Sequence, residues 1–194
     1  MVADELERAF CQLIVSLLKA AYPGSASGGT LPDGGDTLIA TIDIGLDGTL
    51  MQDGQTEMSD DNGIPINAGT MFHVYRGAGS EVVQYPCAIV TTDHASEDFD
   101  TGNVSVTATV KVVYQVDNPD DSTSRADLQR AAANVIMDGL RTNDLPGDLN
   151  THRIDATRLT VQGLESSAHQ QTREGRTVHH EMSFGLYCAG CDLT

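Results

Sequence analysis

The chain has 194 residues, enough for one domain with an ordinary core and too few for two comfortable ones. Hydrophobic residues at 40% and charged ones at 20% exclude an intrinsically disordered chain, while 19 glycines against 4 Phe and 5 Tyr imply many turns and a lean core. The formal charge of -17 lies mostly in residues 1–100, with 16 acidic and 3 basic side chains (net -13) against 12 and 8 (net -4) in the rest; the 11 scattered basic residues form no patch that would hold nucleic acid or an anionic membrane.

In chain order, residues 1–21 read as a helix, with Leu6, Phe10, Leu13, Ile14, Leu17 and Leu18 at three- and four-residue spacing. Pro23 and Gly24 stop it. Its apolar stretch, Leu13 to Leu18, is broken by Ser16 and followed by Lys19, so it falls far short of the roughly 20 residues a bilayer needs. A basic start and a cleavage site are also missing, and no signal peptide is expected. Residues 23–36, rich in Gly, Ser and Pro, read as a flexible connector.

Leu38, Ala40, Ile42, Ile44 and Leu46 alternate with small or polar residues and predict a strand over 37–46. Residues 47–68, with two Asp-Gly pairs and Asn62-Gly63, read as an excursion of turns. Strands are expected over 71–75 and 82–90, the second demoted toward an edge or bulge by Pro86. The strongest signal begins at Asn103: Val104, Val106, Ala108, Val110, Val112, Tyr114 and Val116 hold every even position, a strand of roughly 43 Å at the usual rise. Ser124 with Asp127 three residues later resembles a capping box, and opens a helix that presents Leu128, Ala132, Val135, Ile136 and Leu140 on one face. Asn143 to Gly147 should end it. Strands follow over 154–163 and 177–188, joined by a polar connection, 165–175, that reads as a projecting hairpin loop.

Strands interrupted by one well-formed helix, with another helix in front, predict one α+β domain over 1–194: an antiparallel or mixed sheet with helices packed on one face, plus long projecting loops. Within it, 1–22 is the N-terminal helix, 23–36 the connector, and 37–194 the sheet with its covering helix.

Four cysteines do not make a disulfide scaffold, so free thiols and a soluble protein made in the cytoplasm are expected. Cys188 and Cys191 form a C-x-x-C, but a zinc site needs two more ligands, and Cys188 continues the buried alternation of the last strand. His179 and His180 are strand neighbours that point to opposite faces and make a poor ligand pair. The acidic segments at Asp60 to Gly63 and Asp117 to Asp121 do not complete a calcium loop. Gly77-Ala78-Gly79 lacks the third glycine and the helix of a dinucleotide fingerprint, and no G-x-S-x-G or P-loop is present. The expectation is therefore a non-enzyme with no catalytic, metal or cofactor-binding residues and no cofactor.

Several landmarks carry a resemblance to a family: Gly102-Asn103-Val104-Ser105-Val106 opening the long strand, Val116-Asp117-Asn118-Pro119-Asp120-Asp121, and Ile136-Met137-Asp138-Gly139-Leu140 closing the helix. The short loop to Asp148-Leu149, a strand around Leu159 to Leu164, Glu174-Gly175-Arg176 and a last strand into Cys188 complete it. Over about the last 108 residues, from Cys87 onward, the chain resembles the tail terminator or tail-completion (neck) proteins of tailed bacteriophages. That resemblance implies a virion structural protein of the tail or neck: a ring, usually a homohexamer, that caps the tail tube and docks to the head-tail connector. The implied partners are copies of itself, the tail tube protein and connector or neck proteins, with the tail sheath as a further candidate. Direct nucleic-acid or membrane binding is not implied. The alternatives are a head-completion, connector or capsid-surface protein and, from another class, a small metal-dependent enzyme using the C-terminal thiols and histidines.

Overall fold

In a computed structural model the chain is described over residues 2–21, 29–30, 37–38, 72–76, 85–98, 103–116, 123–142, 144–152 and 159–189. The elements are α1 (Val2–Ala21), β1 (Gly29–Thr30), β2 (Thr37–Leu38), β3 (His73–Arg76), β4 (Cys87–Asp98), β5 (Asn103–Gln115), α2 (Thr123–Leu140), α3 (Leu145–His152), β6 (Thr160–Glu174) and β7 (Thr177–Ala189). Five strands make one mixed sheet in the order β3-β4-β5-β7-β6, parallel only between β3 and β4. β1 and β2 pair separately as a short antiparallel ribbon.

The long alternating strand, β5, is the centre of this sheet. Its even residues from Val104 to Tyr114 are buried and its odd ones mostly half-buried, as a two-residue period over one core face dictates. The register sets Val110 opposite Val90 on one side and Met182 on the other, so the even residues of β4, β5 and β7 share that face. Leu6, Phe10, Ile14 and Leu18 of α1 are fully buried in the same cluster, with Phe10 stacked on Phe184 at 5.6 Å between ring centroids. Ile136 and Leu140 of α2 and Leu145 and Leu149 of α3 complete it. The architecture is thus α+β with the helices on one face. Tyr75, Cys87 and Val113 form a smaller buried cluster with no helix residue among its members.

Two side chains finish the sheet where strands run out. β3 ends opposite Val90, and two residues on Glu7 of α1 accepts from both Thr92 N–H and Thr92 Oγ1 at 2.9 Å. At the far edge Asn150 of α3 donates to Val161 C=O at 2.7 Å and accepts from Val161 N–H at 2.9 Å, standing where a neighbouring strand would. Between α1 and α2 the approach is close at Gly139, where an added Cβ would lie 2.5 Å from the Leu17 methyls and would push that side chain aside.

The structure corrects five boundaries. The segment expected over 143–147 does not simply end a helix; its residues 144–147 start α3, because Asp144 caps it (Gly147 N–H to Asp144 Oδ1, 3.3 Å) and Pro146 falls in the first turn, where its missing N–H costs nothing. Residues 165–175 are not a loop, since β6 runs on to Glu174 and turns at once into β7. The strand expected over 154–163 begins at Thr160, and that expected over 82–90 is β4, which continues to Asp98. α2 begins at Thr123, one residue before the proposed cap at Ser124. The excursion over 47–68, most of the strand expected over 37–46, and all of the connector except Gly29–Thr30 lie outside the described residues.

Candidate functional site

The β6–β7 hairpin closes through Gly175 and Arg176, with Gly175 at a φ of 60°, the left-handed value that two-residue hairpin turns take at their first position. From this turn the register follows: His169 stands opposite Met182, and His180 opposite Gln171, so the two histidines are diagonal neighbours on the helix-bearing face. On the other side of β7, His180 is opposite Val112 and diagonal to Tyr114 of β5. Arg141, one residue past the end of α2, reaches the hairpin from above.

These four side chains form a continuous polar chain. Arg141 Nη2 lies 2.8 Å from His169 Nδ1, His169 Nε2 lies 3.2 Å from His180 Nδ1, and His180 Nε2 lies 3.4 Å from Tyr114 Oη. The rings are nearly parallel, at 6° between the histidines and 14° between His180 and Tyr114. A guanidinium can only donate, so His169 Nδ1 accepts and the His169 proton sits on Nε2. His169 then donates to His180 Nδ1, which places the His180 proton on Nε2, facing the tyrosine oxygen. One charged group at one end therefore fixes two tautomers.

The electrostatics agree with that assignment. Burial lowers the pKa of His180, and His169 and Arg141 lower it further; His169 is lowered by burial and then by Arg141. The Tyr114 phenol is raised, chiefly by burial and against the pull of Arg130. At neutral pH the chain holds one charge, on Arg141. Beside it runs a shallow groove of about 290 Å³ between the end of α2 and β6, floored by Met182 and Phe184 and walled by Leu140 and Leu164.

No family model matches this chain, and a search of curated proteins finds no match.

Chemically the cluster is a proton-sensitive bridge. It contains no activated nucleophile and no carboxylate to orient an imidazole, and among the described residues no group of three or more His, Cys, Asp or Glu side chains is placed to hold a metal ion. The residues singled out in the sequence are dispersed. Cys188 is fully buried in β7 with its thiol pKa pushed up to about 11 by burial and by Glu165, while Cys191 lies outside the described residues. His179 and His180 do point to opposite faces: His179 stands opposite Val113 with its Nε2 3.8 Å from the exposed Glu174 carboxylate. The segments at 60–63, 77–79 and 117–121 lie outside the described residues.

His169, Tyr114 and Arg141 were not candidates in the sequence, because residues 165–175 read as a loop. The missing signal was the turn. Once Glu174-Gly175-Arg176-Thr177 is taken as a two-residue hairpin turn, pairing back along both strands brings His169 and His180 together.

Proposed function

We propose that this protein is a virion structural subunit, a tail terminator or neck ring that self-associates, caps the tail tube and meets the head-tail connector. The observation that carries the reading is the position of the resemblance landmarks in the fold. Asn103 opens β5, Ile136 to Leu140 close α2 against α1, Asp148-Leu149 sit in α3, Leu159 precedes β6, Glu174-Gly175-Arg176 form the hairpin turn, and Cys188 lies at the end of β7. Apart from Asp148-Leu149, which lie within α3, these landmarks fall at element boundaries, where short motifs constrain a backbone, and that placement supports the reading.

Two physical features favour an assembly role. The sheet ends in a 15-residue edge strand of which every residue from Leu164 to Glu174 is exposed. The chain also carries a formal charge of -17, which keeps a subunit near passing DNA from adhering to it. No feature of the described residues favours the enzyme alternative.

Negative-stain electron microscopy and light scattering of the purified full chain test the reading. Closed rings of one size, which add to tail tubes and stop their growth, are the expected result. A trimer that binds capsids and not tails would replace it with the head-completion alternative, and a protein absent from every virus particle by mass spectrometry would end it.

A further inference from the structure

We propose that the open edge of β6 pairs with β6 of a second copy, antiparallel, about a two-fold axis at His169. This goes beyond ring formation, because a two-fold contact closes at two copies whereas a ring needs a different, heterologous surface.

The first observation is that protection of this edge is confined to one end. Natural sheets blunt exposed edges with Lys, Pro, bulges or covering groups. Here Asn150 covers Val161, and the two register shifts of β6 fall at Val161/Gly163 and Leu164/Ser166. From Ser166 to Glu174 the strand runs in unbroken register with β7, contains neither Lys nor Pro, and is exposed throughout. In a two-residue hairpin the pair flanking the turn, Glu174 and Thr177, is hydrogen-bonded, so alternate residues back from it (Arg173, Gln171, His169, Ser167) turn their N–H and C=O groups outward.

The second observation is charge. His169 and Arg173 lie on the helix-bearing face, opposite Met182 and Val178. Glu165 is the extra residue of the second register shift, between Leu164, opposite Leu186 on that face, and Ser166, opposite Gly185 on the other, and it lies within electrostatic reach of Cys188. The order along the strand is acid, imidazole, base, four residues apart. An antiparallel second copy centred on His169 sets Glu165 opposite Arg173′ and Arg173 opposite Glu165′, with Ser167 opposite Gln171′ as hydrogen-bonded backbone pairs. Moving the centre to Gln171 would instead set His169 opposite Arg173′, and centring on Ser167 leaves Arg173 beyond the paired length. Only the His169 register joins both opposite charges while matching the outward-facing backbone groups.

The test uses the full chain at 0.15 M salt, read by sedimentation equilibrium. Glu165→Arg and Arg173→Glu should each weaken pairing about tenfold, since each sets like charges opposite one another at two places. An equimolar mixture of the two variants should pair at least as well as the wild type, because every Arg then meets a Glu across the axis. In a Cys191→Ser background, His169→Cys should oxidise to a covalent dimer, since directly opposed hydrogen-bonded residues sit about 5.5 Å apart at Cα, within disulfide reach. Equal behaviour of the two charge variants alone and mixed, or a His169→Cys chain that stays monomeric on oxidation, would overturn the proposal. The crosslink reads the axis directly, so it decides even if a charge variant misfolds.

Discussion

His180 is buried in the sheet, its hydrogen-bond partners Tyr114 and His169 are neutral, and the nearby Arg141 charge disfavours its protonated form. Both His169 and His180 titrate below the value near 6.5 that each has in the unfolded chain. A histidine with a depressed folded pKa contributes its stability above the unfolded pKa and loses it as pH falls, because the unfolded chain takes up the proton first. Among the described residues the groups bonded to the pair are Arg141 and Tyr114, neither of which can offset a new positive charge. Thermal unfolding at pH 7.5 and 5.5 should therefore show a larger fall in Tm for the wild type than for His180→Gln. The comparison cancels the opposite contribution from relief of acidic self-repulsion, which both chains share; equal slopes would show that the pair is not linked to folding. The thiols give a second test at this scale. Burial pushes Cys87 up to about 12 and Cys188 up to about 11, so neither carries useful thiolate at pH 8, and Cys11 is buried out of a reagent's reach. An aromatic disulfide reagent should titrate no more than one of the four cysteines in the native protein, and all four after unfolding.

At the scale of elements, stability depends on how strand ends are finished. Asn150→Ala removes both bonds to Val161 and leaves a partly buried N–H and C=O without partners, at a cost of about 1–3 kcal/mol. Urea unfolding should show a lower midpoint with an unchanged m-value; an unaffected midpoint would mean that water replaces the amide freely. Which elements were legible follows from the same physics. α1, β5 and β7 each bury one face, so their apolar residues repeat with the period of the element, and their extents were readable from Leu6 to Leu18, Val104 to Tyr114 and Val178 to Cys188. β6 beyond Leu164 buries neither face, so Glu165 to Glu174 carries no period and resembles a loop. α3 was hidden by Pro146-Gly147, a pair that usually marks a turn and here occupies a capped first turn. The histidine chain depended on register between a legible strand and an illegible one, and it could not emerge until the hairpin was placed.

For the molecule as a whole, the formal charge of -17 opposes any contact between copies, whether in a ring or across the β6 edge. Treated as two such charges about 40 Å apart in water, the repulsion is on the order of 10 kcal/mol at 0.01 M salt, where the Debye length is about 30 Å. At 0.15 M that length falls to about 8 Å and the repulsion to below about 1 kcal/mol. Exposed Glu165–Arg173′ pairs contribute at most about 1 kcal/mol each and are screened by the same salt, so the long-range repulsion dominates at low ionic strength and the short-range contacts dominate above it. Self-association should thus tighten steeply between 0.01 and 0.15 M salt and change little beyond, the reverse of a complex held by complementary charge. Sedimentation velocity across that series measures it directly. Association that weakens monotonically from the lowest salt would mean that ion pairs, rather than backbone pairing and apolar contact, hold the copies together.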